Sequence, residues 1–196
     1  MAETTNPAPQ DPGGRLATQS IFFYGPVMVA VMIWDVYQGS KLFRQELWAA
    51  NRVLQDLGLG LAAGLGIVLL TWIAEKLFPW MAALENSFRR ILGRPYLTDI
   101  AMIAMLSSAA EELFFRGLLQ HYTGLVPASI IFGLFHFPAE KSLIPWTIFA
   151  LVVGFGLGFL YEFTGNISTV ILTHFVINLI NLYRITRKDR QNSPLR

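Results

Sequence analysis

Residues 98–120 read TDIAMIAMLSSAAEELFFRGLLQ. At 23 residues the stretch is long enough to cross a bilayer, yet Glu111, Glu112 and Arg116 stand well inside it, and a crossing helix needs ~20 mostly apolar residues. An ionisable side chain at the middle of a span costs roughly 2.5–3.5 kcal/mol on insertion scales, so such a residue is a functional-site hypothesis by default. Glu112 and Arg116 are four residues apart with the acid first, the favourable order for an ion pair along one helix face. That pair can be wholly structural. Glu111 is rotated by about 100° from Glu112, so its carboxylate can project elsewhere and need not share Arg116. It is the free acid of the set.

The sequence around this stretch identifies the solvent as lipid. Charge-free runs occupy 57–74, 117–139, 142–161 and 163–183, with lengths of 18, 23, 20 and 21 residues. The chain is 54% hydrophobic and 14% charged, with a mean hydropathy of +0.47, which leaves too few polar groups to clothe a water-soluble globule. The predicted fold class is therefore all-α: a polytopic membrane helix bundle of about six transmembrane helices plus interfacial amphipathic helices, with the lipid bilayer as its first partner. Without cysteine there is no disulfide, thiol nucleophile or Cys-ligated metal site. A formal charge of +2 is too small to suggest nucleic acid and serves instead to orient the chain.

Four parts follow along the chain. Residues 1–19, rich in Pro, Gly, Thr and Ala and lacking the cationic start of a secretion signal, read as a disordered lead. Residues 20–97 read as two variable transmembrane helices, at 21–37 and 57–78, with interfacial helices at 38–56 and after Pro79. In the latter, Met81, Leu84, Phe88 and Leu92 form one face and Glu85, Arg89 and Arg90 the other, a pattern suited to the membrane surface. Gly58, Gly60, Gly64 and Gly66 allow close helix approach; no strand precedes them, so they are not a dinucleotide loop. Residues 98–184 form the core, with further spans predicted at 124–144, 145–161 and 166–183 and a close-packing pair at Gly154 and Gly158. Residues 185–196 are a basic tail. Six spans return the chain to its starting side, which then carries eleven Lys or Arg against three opposite. The positive-inside rule places both termini in the cytoplasm, and the expected location is the bacterial cytoplasmic membrane.

Depth offers an independent test. Counted from the outer end of each span at ~1.5 Å per residue, Glu111, His136, His174 and Asn178 lie at ~14, ~18, ~12 and ~18 Å, near the middle of a ~30 Å core. Polar groups on three helices at one depth can share a pocket, and His174 and Asn178, four apart, share a face. A carboxylate beside an imidazole can take a proton from water and make it a nucleophile, while imidazole and amide N–H groups can stabilise the oxyanion of a tetrahedral intermediate. That is hydrolase chemistry without a covalent nucleophile. A single buried His or Asn in a helix bundle serves interhelical bonding more often than catalysis; the coincidence of all four at one depth is the signal. His121 follows Gln120 at a helix end and reads as interfacial.

Glu111-Glu112-Leu-Phe-Phe-Arg116, Phe132-Gly-Leu-Phe-His136 and His174-Phe-Val-Ile-Asn178 resemble, in order, the EExxxR, FxxxH and HxxxN motifs of the CPBP family. These are the CAAX-protease and bacteriocin-processing (Abi) intramembrane endopeptidases. The resemblance covers about 98–183 and does not reach the first two spans. It implies that Glu111 activates the water with help from His136, that His174 and Asn178 form the oxyanion site, and that Glu112, Arg116 and Phe132 support the motif helix. It also implies a membrane-associated or prenylated peptide substrate. No cofactor is expected: Glu111, His136 and His174 would be the ligands of a zinc ion, but there is no HExxH pair and three ligands on three helices are not a spacing signal.

Two other classes stay open on sequence grounds. One is a non-proteolytic membrane adaptor or bacteriocin-immunity protein of the same fold, in which the polar cluster only fixes helix packing. The other is an ion or small-solute carrier whose intramembrane acids line a path, although no Gly/Pro-broken repeat marks two related halves.

Overall fold

A computed structural model describes residues 14–39, 52–138 and 140–187. Among them every regular element is helical. Most of the expected lead, most of the expected surface helix at 38–56, and the tail beyond Arg187 lie outside the described residues. The helices are α1 (Arg15–Tyr37), α2 (Val53–Leu77), α3 (Trp80–Leu92), α4 (Leu97–Glu112), α5 (Gln120–Thr123), α6 (Leu125–Phe135), α7 (Ile144–Thr164) and α8 (Ile167–Arg187). A π-helical segment, Leu113–Leu119, joins α4 to α5. The side chains turned outward are themselves large and apolar, including Phe22, Phe23 and Ile33 on α1, Leu65 and Leu69 on α2, and Val152 and Phe159 on α7. Such a surface suits lipid and not water. α1, α2, α8 and the stretch Lys141–Thr164 are each long and apolar enough to cross a membrane. This is a membrane protein with a helical-bundle fold.

Specific bonds fix the direction of each helix. Ala17 N–H reaches Asp99 at 3.4 Å, the Tyr24 hydroxyl Glu111 at 3.1 Å and the Trp34 indole Tyr122 at 3.2 Å, so α1 runs parallel to α4 and its continuation. α2 runs parallel to α8: the Asn166 amide bonds Asp56 at 2.8 Å, the Thr173 hydroxyl bonds the Gly60 carbonyl at 3.0 Å, and Arg184 bonds Glu75 at 2.6 Å. α8 runs against α4, since His174 meets Glu112, Asn178 meets Ser107 and Arg187 bonds the Pro95 carbonyl. The described start at Arg15 and end at Arg187 therefore lie at one end of the bundle, the termini end. Small residues bring α2 and α8 together. A Cβ on Gly64 would stand 2.8 Å from the Val176 Cβ and one on Gly60 2.8 Å from the Thr169 carbonyl oxygen, whereas Gly58 and Gly66 face open space.

Several boundaries differ from the sequence expectation, among them the start of α2 at Val53 and the end of α8 at Arg187. α1 begins at Arg15, so its helix absorbs residues 15–19 of the expected lead. The span predicted at 124–144 is a helix of 11 residues that stops at Phe135, and His136 caps it. Pro138 explains the stop, because the residue before a proline is disfavoured in the α region. The chain then turns through the 3-10 segment Lys141–Leu143 into α7. Beyond Glu112, the interior of the motif helix widens into the π-helical turn. Such turns are rare, commonly sit at functional sites, and leave no periodic trace in the sequence. α3 matches its expected range and stops at Gly93, whose φ of +65° favours glycine. It docks at the termini end through Phe88 on Trp146 and Arg89 on the Ile185 carbonyl.

Candidate active site

Neighbouring glutamates on α4 have divergent surroundings. Glu112 is fully buried, with Arg116 Nη1 at 3.1 Å and His174 Nδ1 at 2.7 Å. Arg116, 1% exposed, donates its other nitrogen to the Gly154 carbonyl at 2.8 Å and stacks over the Phe132 ring at 4.4 Å. The i, i+4 ion pair predicted from sequence is thus one edge of a larger knot that ties α4 to α7 and α8. One turn on, Gln120 repeats the contact by donating to the Gly158 carbonyl at 3.1 Å. The glycines make room for both: a Cβ on Gly154 would meet Phe132 at 2.9 Å and one on Gly158 would meet Gln120 at 2.9 Å.

Glu111 points the other way, with 16% of its side chain exposed. Its Oε1 accepts the Tyr24 hydroxyl. Its Oε2 faces His136 Nε2 at 3.5 Å, and this buried oxygen has no hydrogen bond among the described residues. The end of α6 aims the imidazole. His136 Nδ1 lies 2.8 Å from the Phe132 carbonyl, an acceptor, so Nδ1 carries the hydrogen and Nε2 presents its lone pair. Phe132 and Trp146 hold the ring at centroid distances of 4.6 and 5.0 Å. Two acceptors facing each other at this range are stabilised by a donor that touches both, and one water molecule can donate to each.

The remaining predicted residues fall close by but are differently engaged. His174 lies 6.0 Å from Phe132, ring to ring, and its Nδ1 is bound to Glu112. As a neutral imidazole donating there, it offers a lone pair at Nε2; as an imidazolium it offers an N–H. The Asn178 amide donates to Ser107 Oγ at 3.0 Å, one helical turn before Glu111. His121 stands apart, packed on Trp34 and Tyr122. Among the described residues no three His, Asp or Glu side chains are grouped as metal ligands, and the alternative zinc set of Glu111, His136 and His174 is not assembled there. Sequence reading missed Tyr24, because nothing in the spacing within one helix ties α1 to α4. The available signal was a tyrosine at mid-span, beside Gly25 and Pro26, where such rings usually favour the interface.

A carboxylate and an imidazole thus face each other beside a sealed ion-pair knot. Residues 93–180, which hold α4 to α7 and most of α8, match the family model described as type II CAAX prenyl endopeptidase Rce1-like. The chain is also similar to the uncharacterized protein YpbD of Bacillus subtilis (strain 168), with 28% identity over 183 residues, covering 90% of this chain and 87% of that protein. No solved structure matches.

Proposed function

We propose that the protein is an intramembrane endopeptidase that hydrolyses a peptide bond of a membrane-associated polypeptide, with Glu111 as the base that activates water. The observation that carries this reading is the convergence of Glu111 Oε2 and His136 Nε2 at 3.5 Å on a partly exposed side of an otherwise sealed polar cluster. Glu111 takes a proton from a water that His136 helps to hold. The oxygen bonds to the carbonyl carbon, and the resulting oxyanion is met by Asn178 and by His174 as its imidazolium. Collapse breaks the C–N bond, and the proton held by Glu111 passes to the departing amine. The likeness to type II CAAX prenyl endopeptidases supports reading the substrate as a membrane-associated or prenylated peptide. Charge supports an orientation: Arg15, Lys76, Arg89, Arg90, Arg94, Lys141, Arg184 and Arg187 all belong to the termini end, and the positive-inside rule favours that end as the cytoplasmic one, in a bacterial cytoplasmic membrane.

The test is cleavage of an internally quenched, farnesylated CaaX peptide by purified protein in proteoliposomes. Wild type is expected to cleave it, and Glu111→Gln to lose about a thousandfold in rate while keeping its melting temperature. Full activity in Glu111→Gln would refute the base assignment. Complete loss of wild-type activity in strong chelator, restored by zinc, would overturn the metal-free chemistry.

A further inference from the structure

Glu111 is held by a helix that lies outside both the matched family segment and the three sequence motifs. Tyr24, near the middle of α1, donates its hydroxyl to Glu111 Oε1 at 3.1 Å. A carboxylate that must accept a proton through one oxygen gains from having the other fixed, because rotation about Cγ–Cδ would otherwise spread Oε2 over many directions. With Oε1 anchored, Oε2 is left facing His136 Nε2 with no hydrogen bond among the described residues. We propose that Tyr24 is a positioning residue for the hydrolytic reaction: its phenol fixes the carboxylate plane of Glu111 so that the free oxygen and His136 address the same water. The inference rests on the reading of Glu111 as base.

The surroundings of Tyr24 support this role. The ring forms one end of a groove of about 240 Å³ between α1 and α4, lined also by Leu16, Gln19, Ser20, Phe23 and Ile103. The ring packs edge to face on Phe23 at 5.0 Å, so phenylalanine can occupy the same place without the hydroxyl. The groups gathered around Glu111 come from several elements. Glu112 and Arg116 are on its own helix, Tyr24 on α1, and His136 at the end of α6; His174 on α8 acts through Glu112. Tyr24 is the one that bonds Glu111 from α1. The protease site is on this view completed by a helix that the motif pattern leaves out.

Two measurements on the full chain in proteoliposomes test the proposal. The first is steady-state cleavage of the farnesylated CaaX probe by wild type, Tyr24→Phe and, as a lipid-facing control outside the groove lining, Phe22→Leu. The second is difference infrared spectroscopy, with the Glu111 carboxylate bands assigned by their loss in Glu111→Gln. Tyr24→Phe is expected to lower kcat about tenfold with KM within twofold of wild type and to move the Glu111 carboxylate bands, while Phe22→Leu does neither. Wild-type kcat with unmoved bands overturns the proposal, and so does a raised KM at unchanged kcat, which would make Tyr24 only a wall of the groove. If wild type does not cleave the probe but the bands still move in Tyr24→Phe, the anchoring stands and the protease reading fails. If Glu111→Gln retains full turnover, the base assignment fails, and the Tyr24 role in catalysis with it.

Discussion

Two polar regions meet at adjacent residues of α4 and obey opposite rules. Around Glu112 the helices close completely: the carboxylate meets two cationic or imidazole donors, and Arg116 finds a carbonyl and an aromatic face. Around Glu111 the packing stops short, leaving 16% of one partner and 14% of the other exposed. In each glutamate Oε2 makes no hydrogen bond among the described residues, but that of Glu112 has the Arg116 guanidinium at 3.1 Å, whereas that of Glu111 has only the His136 imidazole at 3.5 Å. Burying a charge is tolerated where it is paired and hydrogen-bonded, and the Glu112 region comes nearer to that condition. An incompletely paired acid inside a membrane is costly. On the proposed reading of Glu111 as base, the sealed region supplies rigidity and the open region reactivity.

The sharpest way to break this contrast is to remove each charge separately. Glu111→Gln is expected to abolish turnover and leave thermal unfolding in detergent unchanged. Glu112→Gln is expected to lower stability by about 3 kcal/mol, since it strands Arg116 in a low-dielectric site. A melting temperature in Glu111→Gln as depressed as that of Glu112→Gln would mean that both acids are structural and would favour the adaptor alternative.

How far each region could be read from sequence follows from how its contacts are made. The Glu112–Arg116 edge lies within one helix at spacing i, i+4, so the order of residues displays it. Three of the charge-free runs, 57–74, 142–161 and 163–183, likewise fall on helices long and apolar enough to cross a membrane, whereas 117–139 falls on shorter ones. The bond from His174 to Glu112 crosses from α8 to α4, and the depth estimate did not show it, since it grouped His174 with Glu111. The same estimate brought His136 to the level of Glu111 although its helix was drawn too long, because α6 ends just before the imidazole. The signal for that ending was present in His136-Phe137-Pro138 but was outweighed by the apolar run around it. Tyr24 and the π-helical turn were not legible: one depends on an interhelical pairing and the other on local hydrogen-bond geometry, and neither leaves a period.

A finer probe of the sealed region uses its glycine. Gly154→Ala places a Cβ 2.9 Å from the Phe132 ring, and the ring must shift against Arg116 on one side and His136 on the other. Overpacking of this kind is expected to cost about 2 kcal/mol. Because Phe132 touches both regions, kcat should fall as well, by less than in Tyr24→Phe. Unchanged stability in a chemical-denaturation series would show that the α6 and α7 interface yields easily and that the region is less rigid than its burial implies.

Ser107→Ala gives the smallest expected effect and decides where Asn178 belongs. The Asn178 amide carries two N–H groups, and Ser107 Oγ accepts one of them at 3.0 Å, which directs the other. Losing a single neutral hydrogen bond should cost about 1 kcal/mol of stability, well below the Glu112→Gln effect. If Asn178 is an oxyanion donor, the loosened amide should also lower kcat by a few-fold at constant KM, and Asn178→Leu should lower it by about a hundredfold. Stability loss without any change in kcat for either variant would move Asn178 into the sealed region, beside Glu112 and Arg116. The open region would then consist of Glu111, His136 and Tyr24, and stabilisation of the oxyanion would fall to His174, which would have to act as an imidazolium to supply a proton from Nε2.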